Sequence, residues 1–192
     1  GADHGREDHR HCDHQEDSDH RRDCVVITNQ TSEAHHDFDM IIYATGFDAM
    51  TGTLLNMDIR GRNGLTLDEK WGDGPKTYLG LGIHGFPNMF TITGPQSPSV
   101  LSNMPVSIEH HVDWISNAIG YFVDNDVDLV EPTKEAEDSW TVHNREVAEQ
   151  TLYPTADSWY MNENIADKPT VFTPYIGGVD NYQDIIREGA TK

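Results

Sequence analysis

Positive charge is scarce in this 192-residue chain. It has 13 Lys and Arg residues against 33 Asp and Glu residues, which gives a formal net charge of −20 at pH 7. Binding to the phosphates of a nucleic acid requires a basic surface, and an anionic membrane likewise attracts basic segments. The composition therefore argues against both kinds of partner.

Long apolar runs and cysteines are also lacking. No stretch approaches the ~18 apolar residues that cross a membrane, and the N-terminus has no apolar signal core. The two cysteines, Cys12 and Cys24, cannot form a disulfide framework. These absences predict a cytoplasmic protein. Hydrophobic residues make up only 36% of the chain, so we expect one packed domain and a sizeable part that does not pack.

The first 23 residues contain almost no apolar side chains. Five His, eight Asp or Glu and four Arg residues leave Ala2 and Cys12 as the only apolar ones. Such a segment cannot bury enough surface to offset its conformational entropy, so we predict a disordered acidic, His-rich tail over 1–23 and a folded part over 24–192. The histidines and Cys12 could ligate a metal, but a flexible tail holds no preformed site, and we expect only adventitious binding. The composition also fits a segment translated out of frame.

A local motif for a catalytic nucleophile is absent, since the chain has no Gly-x-Ser-x-Gly sequence. His110 and His111 have metal-binding side chains, but adjacent helical residues point about 100° apart and do not converge on one ion. We therefore predict that both lie on a solvated helix surface and that the chain has no metal site. Residues 80–85 match Gly-x-Gly-x-x-Gly, yet Phe86-Pro87 follows where a dinucleotide site needs a helix, which argues against a nucleotide site there.

The sequence does contain short apolar runs followed by two helical patterns. Apolar, partly β-branched runs predict strands at 25–28, 38–44 and 89–93. Helical spacing predicts one helix from Met104 to Asp124 and a second from Thr133 to Leu152. These elements predict an α/β or α+β fold. The residues expected to face the core are Ile108, Val112, Ile115, Ile119 and Phe122 in the first helix, and Ala136, Trp140, Val147 and Leu152 in the second.

Two of the predicted strands end in glycine turns. The stretch from Asp39 to Asp48 is interpreted as a buried strand that stops at Gly46, and the strand at 89–93 leads into Gly94-Pro95. From there a loop of small residues reaches the N-terminus of the first long helix at Met104. A helix N-terminus offers unpaired N–H groups and the positive end of the helix dipole, which stabilise the electron-rich part of a flavin ring. The pattern indicates a cofactor crevice.

Five segments of the chain, in their order and spacing, follow the pattern of a known family. They are Tyr43–Asp48, Gly85–Phe90, Gly94–Met104, Ser107–Trp114 and Thr151–Tyr160. They resemble the C-terminal part of Baeyer–Villiger monooxygenases, and within that family the phenylacetone monooxygenase branch. The resemblance implies a partial FAD domain of the two-dinucleotide-binding-domain flavoprotein fold, with FAD and NADPH as cofactors and a ketone and O₂ as substrates.

The resemblance also implies which residues of this chain contact the cofactors and the ketone. The cofactor residues are Gly46, Gly94, Pro95, Asn103, Met104 and Trp159, the last in the loop that closes over NADP; the ketone residues are Ser99, Val100, Leu101 and Met104. Judged without the resemblance, Val100 and Leu101 are ordinary loop-packing residues and Trp159 is a buried aromatic anchor.

Motifs that would complete an enzyme of this family are missing. The resemblance implies that the nucleotide-binding glycine motifs and the active-site arginine lie upstream of the matching region, and this chain contains neither. We therefore expect no catalytic residue here and a fragment of an FAD- and NADPH-dependent Baeyer–Villiger monooxygenase that is inactive alone and has an upstream half as its candidate partner. Two alternatives stay open: a non-catalytic acidic protein that binds a partner, and a related flavin monooxygenase that oxygenates N or S.

Overall fold

The computed structural model describes residues 27–30, 35–38, 40, 42, 48–98, 102–156, 158–162 and 168–189. The tail predicted at 1–23 lies outside these residues. Contacts divide the chain into two units, Gly1–Thr45 and Gly46–Lys192. Among the described helices, none combines the length and the apolar character that spanning a bilayer requires.

The first unit contains an antiparallel hairpin. Strand β1 spans Ile27–Gln30 and strand β2 spans His35–Phe38, with Ile27 opposite Phe38. Two strands therefore lie near the predicted ranges 25–28 and 38–44, but β2 ends at Phe38, and neither Met40 nor Ile42 belongs to a strand. The ladder pairs polar residues close to the turn, and the apolar pattern used for the prediction does not mark them.

The stretch from Asp39 to Asp48 is only partly described. The side chains of Met40 and Ile42 are 73% and 80% exposed, and neither residue belongs to a strand. The prediction of a buried strand is wrong at these two positions, because within the described residues β1 and β2 pair only with each other. Gly46 lies outside the described residues.

The second unit is helical and irregular over its described residues. The first long helix, α3, spans Met104–Asp124, which are the predicted bounds. The second, α4, spans Lys134–Glu149, and Thr133 caps it by accepting a hydrogen bond from the Ala136 N–H. The helices are α1 Gly52–Leu55, α2 Leu67–Lys70, α3 Met104–Asp124, α4 Lys134–Glu149 and α5 Val179–Gly189, with 3₁₀ turns at Arg62–Gly64, Tyr153–Thr155 and Trp159–Met161.

Residues 89–93 form no strand, which corrects the prediction. The Thr91 N–H donates to the Leu81 carbonyl at 2.9 Å, and the Thr93 N–H donates to a side chain, Nδ1 of His111, also at 2.9 Å. A strand needs a continuous backbone partner, and these two bonds go to unrelated parts of the fold. The segment is an irregular connection held against the turn at 78–82.

Helix α3 is rotated relative to the prediction. It buries Ser107 and His111, while Ile108, Val112 and Ile119 are 38%, 41% and 48% exposed. Of the other two residues predicted to face the core, Ile115 and Phe122 are half-buried, and Ile115 packs against the core cluster that contains Trp140. One residue along a helix turns the side chain by about 100°, so the buried face lies beside the predicted one. The prediction that His111 lies on a solvated surface is wrong, because its ring is fully buried and hydrogen-bonded.

Helix α4 packs largely as predicted. Trp140 lies in the main core, whereas Leu152 is 84% exposed because it comes after the helix ends at Glu149. The pattern did not indicate that Glu137 is also buried. The main core consists of Leu79, Leu81, Trp140, Tyr175, Tyr182 and Ile186. A second buried cluster consists of Leu67, Trp71, Ile83 and Phe86.

Candidate functional site

The loop after Thr93 is held by its backbone and by one buried side chain, Gln96. The Gln96 N–H donates to the Thr173 carbonyl at 2.6 Å, and the Gln96 carbonyl accepts from Nε1 of Trp140 at 3.0 Å. Its Oε1 accepts from the Thr77 N–H at 2.9 Å. Gln96 has a left-handed φ of +66°, which these bonds stabilise. Residues 94–98 therefore have one fixed path between α4 and the segment around Thr173.

Gly94 and Pro95 lie inside this packing. A Cβ on Gly94 would fall 2.4 Å from Oγ1 of Thr91 and 2.7 Å from the Gly80 carbonyl, so only glycine fits without movement. Pro95 is fully buried, and its carbonyl accepts from the Thr77 hydroxyl at 2.8 Å. Their backbone sets the direction in which the chain leaves toward 99–101.

The loop returns to described structure at the N-terminus of α3. Asn103 is the N-cap residue, but its exposed side chain makes no capping hydrogen bond. No acidic residue lies in the first turn, and Pro105 follows Met104 there. The positive end of the α3 dipole is therefore not compensated by a carboxylate of its own first turn, and the Asn103 carboxamide is not used as a cap.

Only some of the predicted site residues are described. Gly94, Pro95, Asn103 and Met104 belong to the two ends of one loop: Gly94 and Pro95 are buried, Asn103 is exposed and Met104 is half-buried. For Trp159 the structure describes a 3₁₀ backbone and not the side chain. Gly46, Ser99, Val100 and Leu101 lie outside the described residues.

A buried hydrogen-bond chain supports this loop, and the sequence analysis missed it. Nδ1 of His111 accepts from the Thr93 N–H, so the ring proton lies on Nε2, which is 2.8 Å from the hydroxyl of Tyr182. That hydroxyl in turn donates to the Leu79 carbonyl. These hydrogen bonds connect α3 with α5 and with Thr93, the residue that precedes Gly94.

The surroundings of these hydrogen bonds keep the side chains of His111 and Tyr182 neutral. Burial, with a smaller effect of neighbouring His110, lowers the pKa of His111 to about 4, and burial raises the pKa of Tyr182. One pattern could have indicated this: Ser107, His111 and Trp114 recur at i, i+4 and i+7, which is a second helical face beside the apolar one.

A second anchor lies where the stretch at 39–48 ends. Asp48 pairs with Nζ of Lys168, which also lies 2.6 Å from the hydroxyl of Thr51. Burial alone would raise the pKa of Asp48, but hydrogen bonds from Lys168 and Thr51 lower it. This ion pair joins the residue just after Gly46-Phe47 to the segment that follows the 3₁₀ turn containing Trp159.

The Gly-x-Gly-x-x-Gly match at 80–85 is a turn. Tyr78 and Gly82 form an isolated bridge, and no helix follows within the described residues around it. A Cβ on Gly80 would lie 2.4 Å from Cβ of Ser97. The structure agrees with the expectation that no helix follows this match, and the glycine lets the turn approach the loop at 94–97.

Sequence relatives of the chain are flavin monooxygenases. It is 45% identical over 147 residues to cyclohexanone 1,2-monooxygenase from Acinetobacter sp, a match that covers 77% of this chain and 27% of the relative. It is 43% identical to a Baeyer–Villiger monooxygenase from Pseudooceanicola batsensis, covering 81% and 28%, and 42% identical to phenazine N-monooxygenase PhzNO1 from Lysobacter antibioticus, covering 86% and 30%. No family model matches the chain.

Solved structures agree with the sequence relatives. A closed crystal structure of cyclohexanone monooxygenase matches 87% of this chain and 30% of its own, with a TM-score of 0.78 and 40% identity. An oxidized steroid monooxygenase bound to NADP matches 84% and 30%, with a TM-score of 0.74 and 50% identity. The OTEMO complex with FAD and NADP matches 82% and 29%, with a TM-score of 0.73 and 37% identity.

These matches identify the class and then the family. The fold is part of a two-dinucleotide-binding-domain flavoprotein. Over most of its length, the chain is homologous to the Baeyer–Villiger monooxygenases and corresponds to a partial region of them. It spans about 30% of the length of the relatives that it matches. Assignment to the phenylacetone monooxygenase branch stays a prediction.

Proposed function

We propose that this chain is the part of an FAD- and NADPH-dependent Baeyer–Villiger monooxygenase that presents the loop from Gly94 to Met104 to the flavin and the ketone. The observation that supports this best is the fixed path of the described first part of that loop, residues 94–98. Gln96 is buried and bonded to Thr77, Trp140 and Thr173, and the loop then reaches an uncapped helix N-terminus at Asn103.

The chain's own residues would bind and orient the reactants. Asn103 and Met104 would lie against FAD, and the uncompensated N-terminus of α3 would stabilise negative charge on the flavin ring. The flavin, when bound, supplies the oxidative chemistry, while the protein fixes positions and excludes water. The proposed ketone pocket comprises Ser99, Val100, Leu101 and Met104, and the further cofactor contacts are Gly46 and Trp159. Gly94 and Pro95, which are buried, would hold the loop in place.

The proposal assigns binding and orientation to this chain and no complete reaction. Neither the nucleotide-binding glycine motifs nor the arginine expected in the family is in its sequence. We infer that residues 24–192 are an FAD-domain fragment, inactive alone, and that its partner is the remaining part of such an enzyme. A cytoplasmic location is also part of this proposal and rests on composition.

A chimera tests the proposal. The region of Acinetobacter cyclohexanone monooxygenase that aligns with this chain is replaced by the corresponding residues of this chain. Flavin content, ketone-dependent NADPH oxidation and lactone formation are then measured. We expect the chimera to bind FAD and convert cyclohexanone, whereas the 192-residue chain alone does neither. Turnover by the chain alone would contradict the fragment proposal.

Two substitutions in the chimera locate the site. Asn103→Ala should lower turnover about tenfold, which corresponds to the loss of one hydrogen bond to the cofactor. Asn117→Ala, on the exposed surface of the same helix, is the matched control and should have no effect. Equal activity of the two variants would contradict the role proposed for Asn103.

The same chimera separates the alternatives. The similarity to phenazine N-monooxygenase, over 86% of this chain, makes N-oxygenation the second candidate activity. Oxidation of a phenazine without any ketone conversion would favour it. A chimera without flavin, together with a cooperative thermal transition of the chain alone, would favour the non-catalytic acidic binding protein.

A further inference from the structure

One ion pair lies between the segments of two proposed cofactor contacts, Gly46 and Trp159. Asp48, which follows Gly46-Phe47 in the sequence, pairs with Lys168, which lies beyond the turn that contains Trp159. The two side chains are largely buried, with exposed fractions of 18% and 21%. Removing one charge of such a pair leaves the other poorly solvated, which strongly opposes its separation. The pair is therefore a fixed contact between the two segments.

Asp48 is held in place by the start of helix α1. Its Oδ1 accepts from both the N–H and the hydroxyl of Thr51, each at 3.1 Å, and its carbonyl accepts from the Gly52 N–H at 3.2 Å. A Cβ on Gly52 would lie 2.7 Å from Cβ of Asp48, so a larger residue there would displace Asp48. Leu54 and Leu55 of the same helix pack against the second buried cluster. The carboxylate is therefore fixed relative to that cluster.

The segment that begins at Lys168 is also bonded to the 3₁₀ turn Trp159–Met161. The Pro169 carbonyl accepts from Nδ2 of Asn162 at 3.3 Å, and Asn162, directly after the turn, is only 4% exposed. The Thr173 N–H donates to the middle carbonyl of the turn at 3.1 Å. A displacement of Lys168 would therefore be transmitted to the turn through these two hydrogen bonds.

The ammonium group of Lys168 is already engaged. It pairs with Asp48 and lies 2.6 Å from the hydroxyl of Thr51. An ammonium group has three donors, so these two contacts occupy most of them. A cofactor phosphate would have to displace the Asp48 carboxylate in order to bind there. Lys168 is therefore suited to join two segments and not to bind a nucleotide itself.

We propose that Asp48 and Lys168 are positioning residues for NADPH, because their ion pair keeps the turn that carries Trp159 in the place where this residue contacts the cofactor. The inference rests on the proposed function, which assigns that contact to Trp159. Neither Asp48 nor Lys168 touches NADPH, and both act through the turn. Loss of either partner should therefore weaken NADPH binding equally, whereas a lysine that bound phosphate directly would not need Asp48.

The test uses the flavin-loaded chimera described above, with a transplanted region that contains both residues. NADP⁺ binding is measured by calorimetry, and KM is measured for NADPH and for cyclohexanone. We expect Lys168→Met and Asp48→Asn each to weaken NADP⁺ binding and to raise KM for NADPH about tenfold, because fewer molecules then hold the turn in its binding position. The double variant should bind no more weakly than the single variants, since the two residues act as one pair. Flavin content and KM for cyclohexanone should stay unchanged.

Three further variants act as controls. Lys168→Arg keeps a cation beside Asp48 and should retain NADP⁺ binding. Lys134→Met removes an exposed lysine paired with Asp138 and should have no effect on binding. Gly52→Ala displaces Asp48 without removing a charge and should also weaken NADP⁺ binding, which keeps the test decisive if a variant that lacks one charge does not fold.

The outcomes separate this inference from the function on which it rests. Weaker binding in Lys168→Met but not in Asp48→Asn overturns it, since Lys168 would then contact the nucleotide directly. Unchanged binding in both variants also overturns it, as does a parallel loss of flavin and a higher KM for cyclohexanone, since the pair would then only stabilise the fold. A chimera that holds no flavin contradicts the proposed function itself, and the role of Trp159 with it.

Discussion

Helices α3 and α4 were both predicted from apolar spacing, but among the described residues the predicted face is buried more fully in α4 than in α3. Helix α4 directs Trp140 and Ala148 into the core, and its buried carboxylate, Glu137, pairs with Lys70 at 2.7 Å. Helix α3 buries Ser107 and His111. Its apolar outer row, which we define as Ile108, Val112, Ile119 and Val123, is 38% to 73% exposed.

The difference shows that hydrogen bonds can decide which side of a helix faces a core. In α4, the apolar side chain of Trp140 and the hydrogen-bonded carboxylate of Glu137 are both buried, so the same side of the helix carries apolar contacts and hydrogen bonds. For α3, the bonds from His111 to Thr93 and Tyr182 fix the rotation, and the outer row is left without cover among the described residues. Four pairs of substitutions compare the two helices and the loop that precedes α3, measured as changes in the free energy of unfolding in urea.

The largest effect is expected at the inward face of α4. Lys70→Met leaves the Glu137 carboxylate buried with only the His84 N–H as partner, so stability should fall by about 3–5 kcal/mol. The control is Lys134→Met, which removes an exposed pair with Asp138 on the same helix and should leave the unfolding midpoint unchanged. Similar losses in both variants would mean that the α4 face is not buried.

The next effect concerns the inward face of α3 and depends on pH. Because the pKa of His111 is about 4 when folded and about 6.5 when unfolded, the unfolded chain binds the extra proton more readily. The stability contributed by neutral His111 is complete above pH 6.5 and is lost as pH falls toward 4, by up to about 3 kcal/mol. His111→Gln should remove this part of the pH dependence, whereas His143→Gln should keep it. If the pH dependence of stability stayed the same in His111→Gln, the buried hydrogen bonds assigned to His111 would be contradicted.

The sequence indicated the fold where local rules and tertiary contacts agree. The bounds of α3 were predicted because Asn103, Pro105 and the apolar repeat all point to one helix. The expectation that no helix follows the match at 80–85 also agrees with the structure, since it needed only the residues that follow the match. The family resemblance was found from short loop segments, and the comparisons support it.

Prediction failed where long-range bonds decide the structure. The strand expected at 89–93 has suitable residues but no neighbouring strand in the described part of the chain, and sequence spacing carries no information on partners. The burial of His111 depends on Tyr182, which lies 71 residues away in the chain. Asp48 and Lys168, which form an ion pair, lie 120 positions apart in the sequence, and no sequence pattern indicated this contact either. The roles of Asn103 and Trp159 stay predictions.

A smaller effect on stability is expected in the loop that precedes α3. Gly94→Ala places a Cβ 2.4 Å from Oγ1 of Thr91 and 2.7 Å from the Gly80 backbone, so we expect a loss of about 1–3 kcal/mol from the shift required. The matched control is Gly120→Ala in α3, where nothing lies within 4 Å of the new Cβ and alanine favours the helix by about 0.5–1 kcal/mol. Opposite signs are expected, and a tolerated Gly94→Ala would show that the loop path is not fixed.

The smallest effect is expected in the outer row of α3. Ile119 is 48% exposed, so Ile119→Gln removes little buried surface and should change stability by no more than about 0.5 kcal/mol. Ile186 on α5 has the same side chain at 0% exposure, and Ile186→Ala should cost about 3 kcal/mol. If Ile119→Gln instead cost more than about 1 kcal/mol, the outer row would be covered in the folded chain, and the contrast between α3 and α4 would disappear, because both helices would then bury their apolar residues.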